Sequence, residues 1–179
     1  MRTIASVGVY HSSLEDFLGT LRRYRVTMVL DVRQRRGVRG REYAWANSLR
    51  LQAALREAGI QYRHLPELAP TTELRQLQDR EDDRLKVAKR SRVQLAEAYR
   101  RRYTSEVLDQ VDLGAVLEGL PDGAVSALLC VERDARACHR SLISDRLQAR
   151  YGVRAAEPSG EKRRHVPPGR SPSASARSA

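Results

Sequence analysis

A strand, a helix and a second strand follow one another within about the first 32 residues of the chain, and this order restricts the possible folds. Residues 2–7 are β-rich and apolar, and Gly8 ends the run. Ser12 and Ser13, each with an acidic residue three positions later, predict a helix start. Residues 27–32 form a second β-rich run. Such a unit predicts parallel strands joined by a right-handed crossover.

The alternation of helix and strand continues along the chain. It predicts a helix over 47–58, a strand over 61–65, a buried strand over 125–131, a helix over 141–151 and a short edge strand over 152–156. We therefore expect one α/β domain over 1–156. Its sheet should be open and mostly parallel, with about four to five strands and helices on both faces.

The segments between the third strand and the buried strand give weaker signals. Residues 69–83 are polar with little periodicity, and we expect a long surface excursion there. A helical pattern covers 84–103, and Ser105 can cap another helix that reaches Leu120. Beyond the domain, residues 157–179 are rich in Ser, Pro and Ala with scattered arginines, which predicts a disordered basic tail.

Charge and cysteine content narrow the choice of partner and compartment. The formal net charge of +11 favours a polyanionic partner, namely nucleic acid or a phosphate-bearing molecule. Two cysteines are too few for a disulfide framework, and no signal sequence or membrane-spanning run is visible. We expect a cytoplasmic protein with reduced thiols and no membrane partner.

Each predicted strand ends at residues that could contribute to a site. They are Gly8 and Tyr10 after the first strand, Asp31 and Arg33 at the second, His64 and Glu67 at the third, and Cys130 and Glu132 at the fourth. Ligands of an open parallel sheet bind beyond the carboxyl ends of its strands, so we expect these residues to converge on one site.

Cys138 lies at a predicted helix start, directly before His139 and Arg140. Helix N-termini and cationic neighbours stabilise a thiolate, which predicts a nucleophilic or redox role for Cys138 or Cys130. The alternative is that both cysteines are simply buried. We predict no disulfide, no cofactor and no metal, because the spacing is unlike the paired blocks of structural zinc sites.

Arg33, which opens a basic loop reaching Arg41, is a candidate phosphate contact, and Arg140 is a candidate second anion clamp. The alternative for Arg33 is a buried ion pair with Asp31 or Glu67. Either Glu67 or His139 could transfer a proton. For His64, an ordinary hydrogen-bonded strand histidine is the alternative to a binding role.

Several blocks of the sequence resemble the family labelled domain of unknown function 488. The blocks are SVGVY followed by LEDF, then VLDVR, AGIQYRHLPEL, LLCVE and CHRSLI, and they cover roughly 1–156 in order. The resemblance implies an α/β domain of uncharacterised activity. It places the following residues at the motif positions of the family: Gly8, Asp31, Arg33, His64, Pro66, Glu67, Cys130, Glu132, Cys138, His139 and Arg140. The chain departs from the family after Arg33, where its loop is rich in arginine and glycine.

Two functions compete, with a structural partner subunit as a third possibility. The first is a small enzyme that binds a phosphate-bearing or nucleic-acid-derived substrate at the strand ends, with arginine anion clamps and a Cys/His/Glu constellation. The second is a non-enzymatic nucleic-acid binding module that uses the basic loop 33–41, the face 100–102 and the tail, with Tyr43 and Trp45 for stacking. Polar residues at the strand ends favour the enzyme, because phosphate binding alone would not require them.

Overall fold

A computed structural model describes residues 1–88 and 91–156 of the protein. The strands are β1 (Thr3–Gly8), β2 (Val26–Asp31), β3 (Gln61–His64), β4 (Val125–Cys130) and β5 (Arg154–Ala155). The α-helices are α1 (Leu14–Arg23), α2 (Ser48–Glu57), α3 (Thr72–Leu85), α4 (Glu97–Tyr103), α5 (Leu113–Glu118) and α6 (His139–Tyr151). Within the described ranges, no helix is long and apolar enough to cross a membrane. The predicted tail 157–179 lies outside the described residues.

All five strands form one parallel sheet in the order β3-β2-β4-β1-β5. This confirms the predicted α/β class with an open parallel sheet. The strand that contains the first cysteine lies in the centre, because β4 pairs with β1 on one side and with β2 on the other. In this register Gly8 lies opposite Cys130, and Asp31 lies opposite Leu129. The ends of three strands therefore meet.

Helices cover both faces of the sheet. On one face, α1 and α2 bury Phe17 and Leu51 against the inner strands. On the other face, α4, α5 and α6 bury Tyr103, Leu113 and Leu147. The chain leaves β2 toward the first face and leaves β4 toward the second. Adjacent strands whose connections diverge in this way open a crevice at their carboxyl ends, where α/β proteins bind ligands.

The ends of the first two helices follow the signals in the sequence. Ser13 caps α1 by accepting a hydrogen bond from the Asp16 backbone, and the Asp16 carboxylate accepts one from the Ser13 backbone in return. This is the predicted capping box. After α2, Gly59 takes a φ of 71°, a left-handed conformation that favours glycine and ends the helix.

The prediction for residues 69–83 is wrong, since most of this segment belongs to α3. Thr71 caps the helix by accepting a hydrogen bond from the Leu74 backbone. The inward face of α3 buries Leu74, but it also buries Gln78 and Asp82. Hydrophobic periodicity therefore does not reveal this helix.

The helix predicted over 84–103 is also wrong in its first half. The backbone turns at Lys86, whose φ is 53°, and the regular helix α4 begins only at Glu97. The helix predicted from Ser105 to Leu120 is divided as well. A π-helical turn covers Thr104–Leu108, and Asp112 then caps the short α5 by accepting a hydrogen bond from the Ala115 backbone.

Candidate active site

Cys130, Cys138 and His139 form the floor of the candidate site. Cys130 ends β4, Cys138 is the N-cap residue of α6, and His139 is the first residue of that helix. The two sulfur atoms and one ring nitrogen of His139 all lie within 4.8 Å of one another. The cysteines are free thiols, and all three side chains are buried. The strand end and the helix start thus bring Cys130 close to Cys138 and His139, from which the loop separates it in sequence.

The ring of His139 is held in one orientation. Its Nε2 lies 3.1 Å from the carbonyl oxygen of Val32, and a carbonyl can only accept a hydrogen bond. Nε2 therefore carries the proton, and Nδ1 faces the sulfur of Cys138 at 3.5 Å. The ring of Tyr103 packs against the imidazole, with the ring centroids 5.4 Å apart.

The two thiols differ in acidity because each affects the other. Burial acts to raise the pKa of Cys138, but a hydrogen bond from Cys130 and the proximity of His139 and Arg140 hold this pKa well below its usual range. The hydrogen bond to Cys138, together with burial, raises the pKa of Cys130. Cys138 is therefore the more acidic thiol of the pair, and Cys130 is the less acidic one.

A cavity of about 470 Å³ lies above this floor, at the carboxyl ends of β2 and β4. Five arginines and two acidic residues line it, namely Arg33, Arg35, Arg39, Arg75, Arg92, Asp79 and Glu132. Arg33 and Arg92 form buried ion pairs with carboxylates. Arg35 and Arg39 are exposed, and the Nε of Arg75 is buried without a hydrogen-bond partner in the described part of the chain. These last three arginines give the cavity its positive character.

Arg92 lines the cavity and links three segments of the chain. Its Nη1 lies 3.0 Å from Asp82 on α3, its Nη2 lies 2.9 Å from Glu132 after β4, and its Nε donates to the carbonyl of Ala137. The side chains of Arg92, Asp82 and Glu132 are each at most 8% exposed. Gln78 adds a second link, since its amide oxygen accepts a hydrogen bond from the Ala96 backbone.

Local sequence patterns do not predict the part of the site that α3 and the following segment supply. The missed residues are Arg75, Gln78, Asp82, Arg92 and Tyr99. One signal was present, because residues 75, 78 and 82 recur at helical spacing and could have indicated a polar helical face.

Arg33 forms a buried ion pair with Asp31. Its Nε and Nη2 donate to the two carboxylate oxygens over 2.8 and 2.7 Å, and its Nη1 donates to the carbonyl of Ala46. The hydroxyl of Tyr62 donates to the same carboxylate, and Nε2 of His64 donates to the backbone carbonyl of Arg33. Of the two roles considered for Arg33, the ion pair with Asp31 is therefore present.

Arg140 supports the floor from below. It is fully buried and does not line the cavity. Its guanidinium donates to the carbonyls of Val7 and Glu132, and so joins the end of β1 to the loop after β4. The same two segments meet at Gly8, where a Cβ atom would lie 2.1 Å from the carbonyl oxygen of Glu132.

The structure brings together most of the residues proposed from the sequence. Those that line the cavity are Tyr10, Arg33, Cys130, Glu132, Cys138 and His139. Gly8, Asp31 and Arg140 lie behind its walls. Two residues lie outside it: His64 is half-buried, and Glu67 is exposed on a single 3-10 turn.

The aromatic residues suggested for stacking nucleic-acid bases are packed inside the domain. Tyr43 is buried and contacts Tyr10, with the ring centroids 5.4 Å apart. Trp45 packs against Phe17 at 5.0 Å. Both lie on a 3-10 turn over Arg41–Ala46 that follows the basic loop. Their rings contribute to the core on the α1 and α2 side of the sheet.

The model of the family described as domain of unknown function DUF488 matches residues 13–147. The chain belongs to the DUF488 family. The matched range contains every cavity-lining residue of this DUF488 domain except Tyr10. No curated protein and no solved structure matches the chain.

Proposed function

We propose that this DUF488 domain is a small enzyme that binds a phosphate-bearing or nucleic-acid-derived substrate at the carboxyl ends of its strands. Cys138 would be the reactive group. The observation that carries the proposal is the buried cluster of two sulfurs and an imidazole nitrogen, within 4.8 Å of one another, on the floor of an arginine-lined cavity. A cysteine of lowered pKa beside arginines that could bind an anionic substrate is an arrangement suited to nucleophilic catalysis.

Three arginines are assigned to the substrate anion. Arg35, Arg39 and Arg75 line the cavity, and Arg75 donates to Thr72 through Nη2 while its buried Nε has no partner among the described residues. The guanidinium groups of Arg33 and Arg140, in contrast, are held by several protein acceptors. A guanidinium binds phosphate oxygens through two parallel hydrogen bonds. An anionic group held by these arginines would lie in the cavity that Cys138 also lines.

The cysteine and histidine have different roles in the proposed reaction. Cys138 would attack the electrophilic centre of the substrate. The Nδ1 of His139 faces that sulfur, so the ring is placed to accept the thiol proton and to orient the nucleophile. Glu67 is left without a role in this proposal, because its exposed side chain lies outside the cavity. Two free cysteines support the cytoplasmic location that forms part of the proposal.

Alkylation by iodoacetamide tests the reactive thiol. With chelator present at neutral pH, we expect the native protein to be modified at Cys138 about tenfold or more faster than at Cys130, as mapped by peptide mass spectrometry. Inorganic phosphate and nucleoside monophosphates should slow this modification, and an uncharged nucleoside should not. Arg75→Gln should weaken the protection.

The results that contradict the proposal are equally specific. Equal modification of both cysteines, or modification that begins only when the protein is unfolded, would contradict the assignment of Cys138 as a reactive thiol. Equal protection by the uncharged nucleoside would contradict an anion-binding site. The compounds that protect Cys138 then become the candidates for a turnover assay, with the Cys138→Ser variant as the inactive control.

The nucleic-acid binding module remains the second candidate, and the exposed basic loop favours it. Arg35, Arg39 and Arg41 are exposed and closely spaced, as phosphate-tracking residues are. The buried position of Tyr43 and the packing of the half-buried Trp45 against Phe17 weaken this candidate, because stacking platforms for single strands need accessible rings.

A further inference from the structure

The floor of the cavity has the donor set of a zinc site. Cys130 and Cys138 each offer a sulfur and His139 offers a ring nitrogen, and these atoms all lie within 4.8 Å of one another. Thiolate and imidazole ligands select Zn²⁺ and similar thiophilic ions over Mg²⁺ or Ca²⁺, which prefer oxygen. The three side chains are buried, so their positions are fixed by the surrounding core.

The hydrogen bond of His139 supports the same conclusion independently. A histidine that binds a metal through one nitrogen commonly donates the other ring N–H to a backbone carbonyl or a carboxylate. Here Nε2 donates to the carbonyl of Val32 over 3.1 Å, which leaves the lone pair of Nδ1 directed at the sulfur cluster. The tautomer that a metal ligand needs is therefore already selected.

The cavity supplies the remaining coordination position. In the described part of the chain, the group comprises three protein ligands. Glu132 lines the same cavity, but its carboxylate is held by Arg92 at 2.9 Å. Three protein ligands with one open position are typical of exchangeable or catalytic zinc, whereas structural zinc has four.

We infer that Cys130, Cys138 and His139 bind one thiophilic divalent ion, Zn²⁺ by preference, with its fourth position open to the cavity. Two thiolates and a neutral imidazole would balance the charge of the ion, and any thiol proton displaced by the ion passes to solvent. Water or an anion from the cavity would complete the tetrahedron.

This inference does not depend on the proposed reaction, although it concerns the same floor. A bound ion occupies the lone pair with which Cys138 would attack a substrate. The metal-bound floor and the reactive thiolate are therefore alternative states of the protein. Zn²⁺ should accordingly slow the alkylation of Cys138.

Cobalt spectroscopy of the reduced, chelator-treated full-length protein tests the inference. We expect one Co²⁺ per chain, with the strong visible absorption of tetrahedral cobalt and a thiolate-to-metal charge-transfer band that Zn²⁺ abolishes. The chain has two cysteines, so this band can arise only from Cys130 and Cys138. Cys130→Ala should weaken cobalt binding by about 10- to 100-fold or more. His64→Gln is the matched control and should bind as the native chain does.

Several results would overturn the inference. One is a weak octahedral spectrum without a charge-transfer band, and another is cobalt binding that Cys130→Ala leaves unchanged. Circular dichroism shows whether the Cys130→Ala variant is folded. If that variant is unfolded, the cobalt spectrum of the native protein alone tests the inference. Absence of preferential Cys138 alkylation under chelator contradicts the proposed enzyme but leaves the cobalt spectrum intact, so the two failures are distinguishable.

Discussion

The Nη2 of Arg92 lies 2.9 Å from the Oε1 of Glu132, and this ion pair joins the segment after α3 to the loop after β4. The same guanidinium lies 3.0 Å from a carboxylate oxygen of Asp82. Both carboxylates are buried. One positive charge therefore bridges two buried carboxylates and offsets part of the cost of burying them.

We predict that Arg92→Gln lowers the free energy of unfolding by about 3–5 kcal/mol, because it removes the positive charge that contacts two buried carboxylates. Urea denaturation measures the change. The control is Arg84→Gln, which breaks an ion pair between Arg84 and Glu81 on the solvent-facing side of α3. That variant should unfold at nearly the native urea concentration. Equal effects of the two substitutions would contradict the bridging role of Arg92.

Gly8 allows the end of β1 to approach the loop after β4. In Gly8→Ala, the new Cβ would lie 2.1 Å from the carbonyl oxygen of Glu132 and 2.9 Å from the Cα of Arg133, and backbone atoms cannot rotate away. We expect a loss of about 1–3 kcal/mol in stability, measured by urea denaturation.

A second glycine, Gly19, provides a control in which substitution by alanine should raise the stability and not lower it. Gly19 lies within α1, and a Cβ atom there would meet nothing within 4 Å. Gly19→Ala should therefore stabilise the protein by about 0.5–1 kcal/mol. If Gly8→Ala were as well tolerated as Gly19→Ala, the close approach of the strand end to the loop would be refuted.

Tyr62 links alkaline pH to stability. Burial and the hydrogen bond to Asp31 raise the pKa of Tyr62 to about 12. This pKa lies above the value of about 10 in the unfolded chain, so the folded protein favours the neutral phenol. The stabilisation of the fold by Tyr62 is therefore fully present below pH 10 and is lost as the pH rises toward 12. At pH 8, Tyr62→Phe should cost about 1 kcal/mol.

Urea denaturation at pH 8, 9, 10 and 11 checks this prediction. The stability difference between the native chain and Tyr62→Phe should narrow above pH 10. Tyr24→Phe is the control, because the Tyr24 hydroxyl makes no hydrogen bond within the described residues. A difference that stays constant over the whole pH range would rule out a coupled phenol.

The exposed arginines of the basic loop should determine how strongly salt weakens binding to single-stranded DNA. Each phosphate contact contributes about 0.7 to the slope of log K against log salt for a single strand. We therefore expect the double variant Arg35→Ala/Arg39→Ala to reduce the slope by about 1.4, measured by fluorescence anisotropy. Cys138→Ser and the control variant Arg22→Ala/Arg56→Ala should retain most of the salt dependence of the native protein. A slope that the loop variant leaves unchanged would eliminate this surface as a phosphate contact.

The strands could be predicted from the sequence because they are short apolar runs in a regular alternation with helices. The positions of Cys130 and Cys138 followed from that order, since a strand end and a helix start are both recognisable locally. The ion pair of Arg33 with Asp31 could also be predicted from the sequence. Residues two apart on an extended segment point to the same side, which favours Asp31 over Glu67 as its partner.

The helix α3 could not be predicted by the same reasoning. Its inward face buries Gln78 and Asp82, and their partners Arg92 and Ala96 lie beyond the end of the helix. A polar residue is buried only when its partner is present, and that partner depends on the tertiary fold. Hydrophobic periodicity therefore does not detect this helix, whose buried face is largely polar and lines the cavity.

The exposed arginines that line the cavity have one consequence for engineering. Arg35 and Arg39 lie on an irregular segment between β2 and the first 3-10 turn, whereas the cysteines belong to a strand end and a helix start. We expect charge reversal on the loop to leave the sheet intact. In the proposed enzyme, the anion contacts and the sulfur pair would therefore lie on separate elements, so that each could be altered while the other is kept.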